Sequence, residues 1–317
     1  MTHSQGVPAH RLAGARTVLR PGDALFPQAL RDIPRPPKAL YVLGNPHALQ
    51  EGLAVVGARK ATPYGLGLAR RFARLAAERG VAIVSGGAKG CDAAAHEAAL
   101  AAGAPTVAFL GGGCDMPYPA QHVGLFERIA AAGGAVVSEH PWDAPPLPQQ
   151  FRTRNRLIAG LACATLIVEA GLPSGTFSTA DEALAANRDV LVVPGAITSP
   201  YSRGANRLLY QGATPIVDDE SFSDVLFSLF GCLKQETFSE EGAGPDVAKG
   251  RSKHDNSLGP LEAALAAEPL GLEELYTLAC KHCGSKQPRA WLMERLAAGE
   301  KAGLFARYPD GRWGPCA

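Results

Sequence analysis

The sequence predicts an α/β protein whose mainly parallel β-sheet is covered by helices on both faces and is followed by a small C-terminal domain. The first reason is an alternation of short apolar runs with helix-like stretches across residues 54–217. The second is a polar stretch after Phe230 that separates this region from a last group of short helices. Alternating units of this kind form parallel sheets because each helix returns the chain to the same end of the sheet.

The predicted strands are short runs of β-branched and small apolar residues, which suit positions buried on both faces of a sheet. They cover residues 54–56, 81–84, 106–110, 135–138, 165–168, 190–193 and 215–217. The predicted helices cover residues 65–78, 93–102, 121–132, 154–161, 176–186 and 204–210. In the first helix, apolar residues recur at the spacing of one helical face.

Both ends of this region differ from it in composition. Residues 1–18 are small, polar and aperiodic, so we expect a disordered N-terminus. Residues 19–53 are interrupted by prolines, which predicts an extension that covers the main domain and holds one extended strand. The main domain, with this extension, is expected to span residues 19–231. Residues 232–260 are polar and nearly free of large apolar side chains, so they are predicted to form a linker.

The last segment, residues 261–317, shows two or three short helices and a β-hairpin that turns at residues 309–311. This order is typical of a winged-helix domain. Winged helices often bind duplex nucleic acid, but the helix that would read it combines Arg289, Glu294 and Arg295 with a large apolar content. Both a nucleic acid and a protein therefore stay open as partners of this domain.

Charge and cysteine usage narrow the class of protein. The chain of 317 residues has 31 Lys and Arg residues against 30 Asp and Glu residues, a net charge of +1. A polyanion must therefore be held by locally clustered cations. Seven cysteines are scattered along the chain, the N-terminus lacks the apolar core of a signal peptide, and no apolar run approaches membrane-span length. We expect a cytoplasmic protein without a membrane association.

The stretch 81–97, VAIVSGGAKGCDAAAHE, predicts a buried strand, a glycine-rich turn and a helix. Gly86, Gly87 and Gly90 allow positive φ angles and a close approach of the backbone. Asp92 is suited to cap the helix, and Lys89 adds a positive charge to a turn whose amides and helix N-terminus attract anions. The stretch indicates a phosphate site.

The predicted loops at the carboxyl ends of the strands share a composition that extends this idea. They cover residues 57–65, 85–92, 110–119, 138–156, 169–181 and 194–207, and each is rich in Gly, Ser or Thr. Four of them also carry cations, which are Arg59, Lys60, Lys89, Arg152, Arg154, Arg156, Arg203 and Arg207. Ligands of such sheets bind at this end. A basic rim on a neutral molecule favours a polyanion over a mononucleotide.

The segment FRTRNRLIAGL, residues 151–161, is the most informative of these loops. Arg154 and Arg156 fall at the predicted start of a helix, where the macrodipole disfavours each cation by about 0.3–1 kcal/mol. An anionic ligand would compensate, and so would a salt bridge to Glu139 or Asp143; Asn155 between the arginines favours the ligand. Phe151 is suited to stack on an unpaired base, although core packing explains it equally simply.

Two further patterns bear on the chemistry of the chain. The segment 173–184 places Ser174, Gly175 and Thr176 at a predicted helix N-terminus, which suits a second phosphate site. The C-K-H-C pattern of Cys280 and Cys283 lacks two further ligands for a zinc ion, and His96 in an alanine-rich helix is expected to be structural. Paired carboxylates and an activated nucleophile are absent from the sequence patterns. We therefore expect a binding protein that needs no metal or cofactor, and not an enzyme.

Taken together, these motifs resemble the DNA-processing protein A (DprA/Smf) family from about residue 19 onward. The resemblance rests on VVGARKATPYG, VSGGAKGCDAAAH, LGGGCDMPYP, SEHPW with FRTRNRLIAGL, VEAGLPSGTFSTADEAL, RDVLVVPG and SRGANRLLYQGA. It implies a Rossmann-like domain that binds single-stranded DNA and loads the RecA recombinase during natural transformation, a homodimer formed through that domain, and a C-terminal winged helix.

The resemblance also implies which residues line the DNA site, and where this chain departs from the family. The implied residues are Arg59, Lys89, Arg154, Asn155, Arg156, Ser174, Gly175 and Thr176. Ala58 replaces the usual serine, Lys89 replaces the usual arginine, and Cys91 takes a commonly aliphatic position. Since lysine lacks the planar fork of arginine, we expect the affinity for DNA to differ while the binding mode is kept.

Two other functions stay open from the sequence. One is a nucleotide-sensing protein that binds a signalling nucleotide in the same loops. The other is a nucleoside-monophosphate phosphoribohydrolase of the lysine-decarboxylase-like (LOG) group. That group needs acidic residues after its glycine-threonine motif, whereas here Gly175 and Thr176 are followed by Phe177, Ser178 and Thr179.

Overall fold

The structure, a computed structural model, describes residues 11–231, 260–267, 269–282, 288–308 and 312–315. The chain divides into two compact units that meet in sequence at residues 232 and 233. In the described residues, no helix combines the length and the apolar character that crossing a membrane would require.

The first unit is built on a nine-stranded sheet in the order β1-β2-β6-β5-β4-β3-β7-β8-β9. Its strands are β1 Arg16–Leu19, β2 Leu40–Gly44, β3 Gly52–Val56, β4 Ile83–Ser85, β5 Thr106–Phe109, β6 Ala135–Ser138, β7 Ala162–Ile167, β8 Asp189–Val192 and β9 Thr214–Pro215. From β6 to β9 all neighbours are parallel, and β1 and β2 are antiparallel additions at one edge. The mainly parallel α/β fold predicted from the sequence is confirmed.

Helices cover both faces of the sheet because the side chains of its strands alternate between two apolar cores. In β3, Leu53 and Val55 enter one core, whereas Ala54 and Val56 enter the other. The helices of the first unit are α1 Gln28–Arg31, α2 Pro63–Ala77, α3 Cys91–Ala101, α4 Val123–Ala131, α5 Pro148–Leu161, α6 Thr176–Ala185, α7 Arg203–Tyr210 and α8 Asp219–Phe230. Helices α2, α3 and α8 pack in the core of Leu53, and α5, α6 and α7 pack in the core of Ala54.

The strand order creates a crevice at one point of the sheet. From β3 the chain moves outward through β4, β5 and β6, and then returns to place β7 on the other side of β3. The loops that follow β3 and β7 therefore diverge to opposite faces, which is the position where sheets of this kind bind ligands. Residues 57–62 and 168–175 are these two loops.

The structure differs from the sequence prediction at two boundaries and by one additional helix. Arg16–Leu19 pairs with β2 and Leu12 is buried, so residues 11–18 are not the disordered segment that we expected. Their order depends on partners distant in sequence, which local composition does not reveal. Helix α5 begins at Pro148 and not near Arg154. Helix α8 was not predicted, although Asp218 caps it by accepting a hydrogen bond from the Ser221 amide at 2.7 Å.

The second unit contains α9 Pro260–Ala267, α10 Leu272–His282, α11 Pro288–Lys301, β10 Phe305–Arg307 and β11 Trp313–Pro315. The two strands are antiparallel, and a small core joins the helices to them through residues such as Leu265, Leu275 and Phe305. This is the order of elements expected for a winged helix. The predicted turn at residues 309–311 and, apart from Pro260, the predicted linker lie outside the described residues.

Candidate nucleic-acid interface

A cleft of about 880 Å³ opens at the carboxyl ends of the strands, between the loops that follow β3 and β7. Predicted site residues that line it are Arg59, Phe151, Arg154, Asn155, Ser174, Gly175 and Thr176. A smaller side recess next to it is lined by Arg59, Gly86, Lys89, Tyr118, Phe151 and Arg154. Gly87, Gly90 and Arg156 line neither space.

Arg59 and Lys60 are the exposed cations of the loop after β3. The Arg59 guanidinium lies 6.0 Å from the centre of the Phe151 ring, at the edge of cation–π range. Among the described residues neither cation forms a salt bridge with an acidic side chain. Both charges are therefore available to an anionic ligand.

Phe151 forms part of the wall between the cleft and the side recess. Its ring meets the Tyr118 ring edge-on, with 5.4 Å between their centres. A side chain at Gly111 would approach the Phe151 ring to 2.9 Å, so the glycine lets the ring lie over the backbone. Phe151 is half-buried and exposed to both spaces. This position is compatible with stacking on a base, and the packing against Gly111 shows that the ring also has a structural role.

The glycine turn after β4 is stabilised by the helix that it opens. Asp92 is buried and its Oδ2 accepts hydrogen bonds from the Gly86 and Ala88 amides at 3.2 and 3.3 Å. Asp92 therefore does not cap α3 as expected, because residue Gly90 takes the N-cap position. These two amides are already engaged, so they do not form the open phosphate site that the sequence suggested. Burial raises the pKa of Asp92, and the Arg154 charge opposes this shift.

Two of the glycines in this turn are needed for packing. Gly90 has φ of 82°, and a side chain there would overlap the Ala58 carbonyl oxygen. Gly87 has φ of 66°, and a side chain there would collide with the Phe126 ring. These glycines bring the turn close to the loop after β3 and to α4, while Lys89 is left to face the side recess.

Arg154 is only 5% exposed, although it contributes to both spaces. Its Nη1 donates hydrogen bonds to the Gly86 carbonyl at 2.8 Å and to the Phe109 carbonyl. Burial lowers the pKa of the Arg154 guanidinium to about 10, and the Asp92 charge counteracts that effect. Because α5 begins six residues earlier, the macrodipole argument for a ligand at Arg154 is wrong.

Arg156 lines neither the cleft nor the side recess, and its assignment to the DNA site stays a prediction. Its guanidinium donates to the Glu139 carboxylate at 2.6 and 2.8 Å and to the carbonyls of Arg35 and Thr153, both at 2.9 Å. The salt bridge to Glu139, which the sequence analysis left open, is thus the role of Arg156. Residues two apart on a helix face nearly opposite directions, so Arg154 and Arg156 lie on different sides of α5.

The N-terminus of α6 is the most open anion site of the cleft. A side chain at Gly175, the N-cap, would meet nothing within 4 Å. The Ser174 hydroxyl accepts a hydrogen bond from the Thr176 amide at 3.2 Å and donates to the Thr176 hydroxyl at 2.9 Å. Asn155 reaches the same helix and donates to the Ser178 hydroxyl at 3.4 Å. The positive end of the α6 helix dipole therefore faces the cleft.

Glu169 is a residue of this region that the sequence analysis missed. Its buried carboxylate accepts hydrogen bonds from the Thr62 amide at 2.8 Å and from the Thr62 hydroxyl at 2.7 Å. A side chain at Gly65 would approach this carboxylate to 2.6 Å. Burial raises the pKa of Glu169, and the bonds from Thr62 oppose the shift. Glu169 therefore joins the loop after β7 to the start of α2 and so fixes the loop of Arg59. The sequence signal that could have identified Glu169 is an acidic residue directly after an apolar strand.

His96 lies in the core and not in the cleft. Its Nδ1 is 2.7 Å from the Thr106 hydroxyl oxygen, which itself donates to the Ile83 carbonyl at 2.8 Å. Since the hydroxyl proton is committed to Ile83, His96 must donate from Nδ1, which leaves Nε2 as a buried acceptor without a partner among the described residues. Burial lowers the pKa of His96 to about 3. The expectation that this histidine is structural agrees with these contacts.

Among the residues whose side chains the structure describes, no group of three or more His, Cys, Asp or Glu residues is arranged to hold a metal ion. Cys280 is exposed on α10, and Cys283 lies outside the described residues.

Comparison with known proteins gives one consistent family. The model of the family described as DNA recombination-mediator protein A matches residues 17–227. The DNA processing protein DprA of Mycobacterium tuberculosis is 40% identical in an alignment of 283 residues that covers 87% of this chain and 68% of that protein. The crystal structure of DNA processing protein A from Streptococcus pneumoniae is 33% identical with a TM-score of 0.62, over 66% of this chain and 74% of that one.

A second similar solved structure is that of DNA processing protein A from Helicobacter pylori, and it describes how that protein binds single-stranded DNA. That protein is 31% identical with a TM-score of 0.61, over 68% of this chain and 97% of that one. Both structural similarities extend over about two thirds of this chain.

Proposed function

This chain belongs to the DNA recombination-mediator protein A (DprA/Smf) family, and we propose that its cleft binds single-stranded DNA. The observation that carries the proposal is the pairing of exposed Arg59 and Lys60 with the open N-terminus of α6 across one cleft. Phosphates would contact the cations and the α6 amides. The similarity to the Helicobacter pylori protein, whose structure describes single-stranded DNA binding, supports the same ligand.

The wall between the two spaces favours a single strand over a duplex. Phe151 and Tyr118 present aromatic rings beside Arg59 and Lys89. Bases in a duplex hide their faces in the stack, so a side chain at the wall can stack only on an unpaired base. The cations also lie on more than one loop, which suits several successive phosphates and not one nucleotide.

We propose that the protein acts by binding and not by catalysis. Among the described residues that line the cleft, Asp92 is the one carboxylate, and it is buried against the Gly86 and Ala88 amides. Glu169 is likewise buried, against Thr62. Glycosidic cleavage needs a carboxylate that can reach the substrate, so the phosphoribohydrolase alternative has little support.

A titration of labelled oligothymidylate, of the same length as a blunt duplex, tests the proposed ligand. We expect tighter binding of the single strand and a linear fall of log affinity with log salt concentration. Equal affinity for the duplex would contradict the proposal. Competition by mononucleotides at concentrations that do not depend on salt would instead support the nucleotide-sensing alternative.

We further propose that the protein loads RecA onto single strands in natural transformation, that it works as a homodimer, and that it acts in the cytoplasm. RecA loading rests on the family alone, and a strand-exchange assay without stimulation by the protein would contradict it. For the dimer, β9 is an outer strand of the sheet among the described residues, and it is flanked by Tyr210, which is 83% exposed, and by exposed Val217. Analytical ultracentrifugation of Tyr210→Glu beside the natural chain tests whether this edge joins two copies.

A further inference from the structure

The two walls of the cleft in the first unit are joined by one pair of buried polar side chains, Thr62 and Glu169. Thr62 ends the loop that carries Arg59 and Lys60, and it is the N-cap of α2. Glu169 belongs to the loop that follows β7 and leads to the N-terminus of α6. The Thr62 amide and hydroxyl donate to the two oxygens of the Glu169 carboxylate at 2.8 and 2.7 Å. The pair therefore connects the cations of one wall to the helix N-terminus of the other.

Glu169 is a rigid anchor for this connection, because both of its neighbours in the chain are held by backbone hydrogen bonds. The Val168 amide donates to the Val56 carbonyl at the end of β3, at 3.1 Å. The Ala170 carbonyl accepts bonds from two amides in the first turn of α7, at 2.7 and 3.1 Å. Glu169 thus occupies a fixed place beside the carboxyl end of β3.

The loop that carries the two cations is tied at its other end as well. The Ala58 carbonyl accepts a hydrogen bond from the amide of Cys91, the first residue of α3, at 3.3 Å. Residues 59–61 lie between this bond and Thr62, so the two cations project from a short arch whose ends are both fixed. Without the bonds to Glu169, the end at Thr62 is tied to α2 alone, and its position relative to α6 is no longer set.

Capping of α2 does not account for an acid at position 169. The Thr62 hydroxyl already caps this helix by accepting a bond from the Gly65 amide at 3.2 Å, and threonine caps helices without the help of a carboxylate. Glu169 is 3% exposed, and burial raises its pKa, so its charge costs free energy in the fold. The same charge disfavours a polyanion in the cleft. In return, a carboxylate accepts shorter and stronger hydrogen bonds than a neutral group, which is an advantage where a loop must not move.

From these contacts we propose that Thr62 and Glu169 are positioning residues for single-strand binding. They hold the charges of Arg59 and Lys60 at the distance from the α6 N-terminus that lets one strand contact both walls. The inference rests on the proposed function of the cleft. Neither Thr106-like core packing nor direct contact with DNA is their role: Glu169 lines neither the cleft nor the side recess, and Thr62 lines neither space. They act through the two cations and determine how many phosphates the cleft neutralises at once.

Three variants and a control test this inference, each by titration with a labelled oligothymidylate at several salt concentrations and by thermal melting. Thr62→Val removes the hydroxyl but keeps the shape of the side chain, Thr62→Ser keeps the hydroxyl, and Glu169→Gln removes the charge. Thr106→Val, the matched control, makes the first change at another buried threonine, whose hydroxyl donates to the Ile83 carbonyl at 2.8 Å. Thr106 begins β5, so it lies at the end of the sheet opposite to the cleft.

We expect Thr62→Val and Glu169→Gln to weaken binding by about fivefold or more at moderate salt and to lower the slope of log affinity against log salt concentration by about 1, since one wall loses a phosphate contact. Thr62→Ser and Thr106→Val should bind within about twofold of the natural chain. The result for Glu169→Gln separates positioning from charge, because the removal of an acid strengthens the binding of a polyanion on electrostatic grounds alone.

Natural affinity and slope in Thr62→Val, tighter binding by Glu169→Gln, or a loss of affinity in Thr62→Ser or Thr106→Val equal to that in Thr62→Val would each overturn the inference. Failure of the natural chain to bind the oligonucleotide would instead overturn the proposed function of the cleft, and this inference with it.

Discussion

The Arg154 guanidinium donates a hydrogen bond to the Gly86 carbonyl at 2.8 Å, and through this bond α5 holds the glycine turn that follows β4. The same guanidinium reaches the Phe109 carbonyl at the end of β5. Asp92 in turn accepts hydrogen bonds from the Gly86 and Ala88 amides of the same turn. A buried cation and a buried anion thus fix the turn from two sides, and both shape the cleft.

The first prediction follows from this arrangement and concerns Arg154→Glu. The change buries a second carboxylate beside Asp92 and leaves the Gly86 and Phe109 carbonyls without their donor. We expect the free energy of unfolding to fall by about 3–5 kcal/mol, as for a buried charge that loses its partner, and single-strand affinity to fall as well. Arg154→Lys, which keeps the charge, should lose less of both. Thermal melting and an oligonucleotide titration measure the two effects.

This expectation reverses the one that the sequence alone supports. With Arg154 at a helix start, an acid would be favoured by the macrodipole and melting would hold. Unchanged melting with lost DNA binding would therefore show that Arg154 is a ligand contact only, against the structure.

Arg59→Ala is the corresponding prediction for the cleft itself. Arg59 is exposed, and its contact with Phe151 is distant, so the free energy of unfolding should change by less than about 0.5 kcal/mol. If one phosphate contact is lost, the slope of log affinity against log salt concentration should decrease by about 1. Arg20→Ala, at an exposed cation of the covering segment, is the matched control. An unaltered slope would remove Arg59 from the interface.

For Arg156→Ala we predict the opposite pattern. The change leaves the largely buried Glu139 without its partner, so the free energy of unfolding should fall by about 3–5 kcal/mol. Affinity for a single strand, measured well below the melting temperature, should stay within about twofold, since Arg156 contacts neither space at the sheet. The double variant with Glu139→Gln should recover part of the stability. Loss of affinity with normal melting would return Arg156 to the DNA site.

The sequence predicts the alternation of strands and helices because apolar periodicity is a local property. It also predicts which loops lie near the ligand, because ligands of parallel sheets bind at the carboxyl ends of the strands. It does not predict the start of α5. The segment 148–153, PQQFRT, lacks apolar periodicity, and its first turn is supported locally by the Leu147 amide donating to the Gln150 side chain at 2.7 Å. It also does not show that Asp92 engages the turn amides, because a helix cap and a bond back to the loop need the same residue type.

The sequence does, by contrast, predict that the side chains of Arg154 and Arg156 point in different directions. Their separation of two residues on a helix turns their side chains about 200° apart, so one faces the glycine turn and the other faces Glu139. The sequence does not reveal that residues 11–18 are structured. Strand β1 depends on its pairing with β2, and Arg16 is held by a salt bridge to Asp115 at 2.6 Å.

The last prediction concerns acid stability and His96. Burial lowers the pKa of His96 to about 3 from its ordinary value of 6.5, and the nearby charges of His122 and Arg154 act in the same direction. Between these two pH values the unfolded chain binds a proton at this residue that the folded chain does not. The folded state should therefore lose stability as the pH falls below 6.5, and the loss should continue until the pH reaches about 3.

His96→Gln isolates this effect, because glutamine can still donate to the Thr106 hydroxyl but does not titrate. Its free energy of unfolding, measured in urea at pH values between 7 and about 4, should fall less steeply on acidification than that of the natural chain. The variant therefore gains relative stability as the pH decreases, whatever its stability at neutral pH. His47→Gln, at an exposed position, should leave the profile unchanged. Parallel profiles for His96→Gln and the natural chain would mean that His96 is protonated in the folded protein, with a partner for Nε2 that the described contacts do not contain.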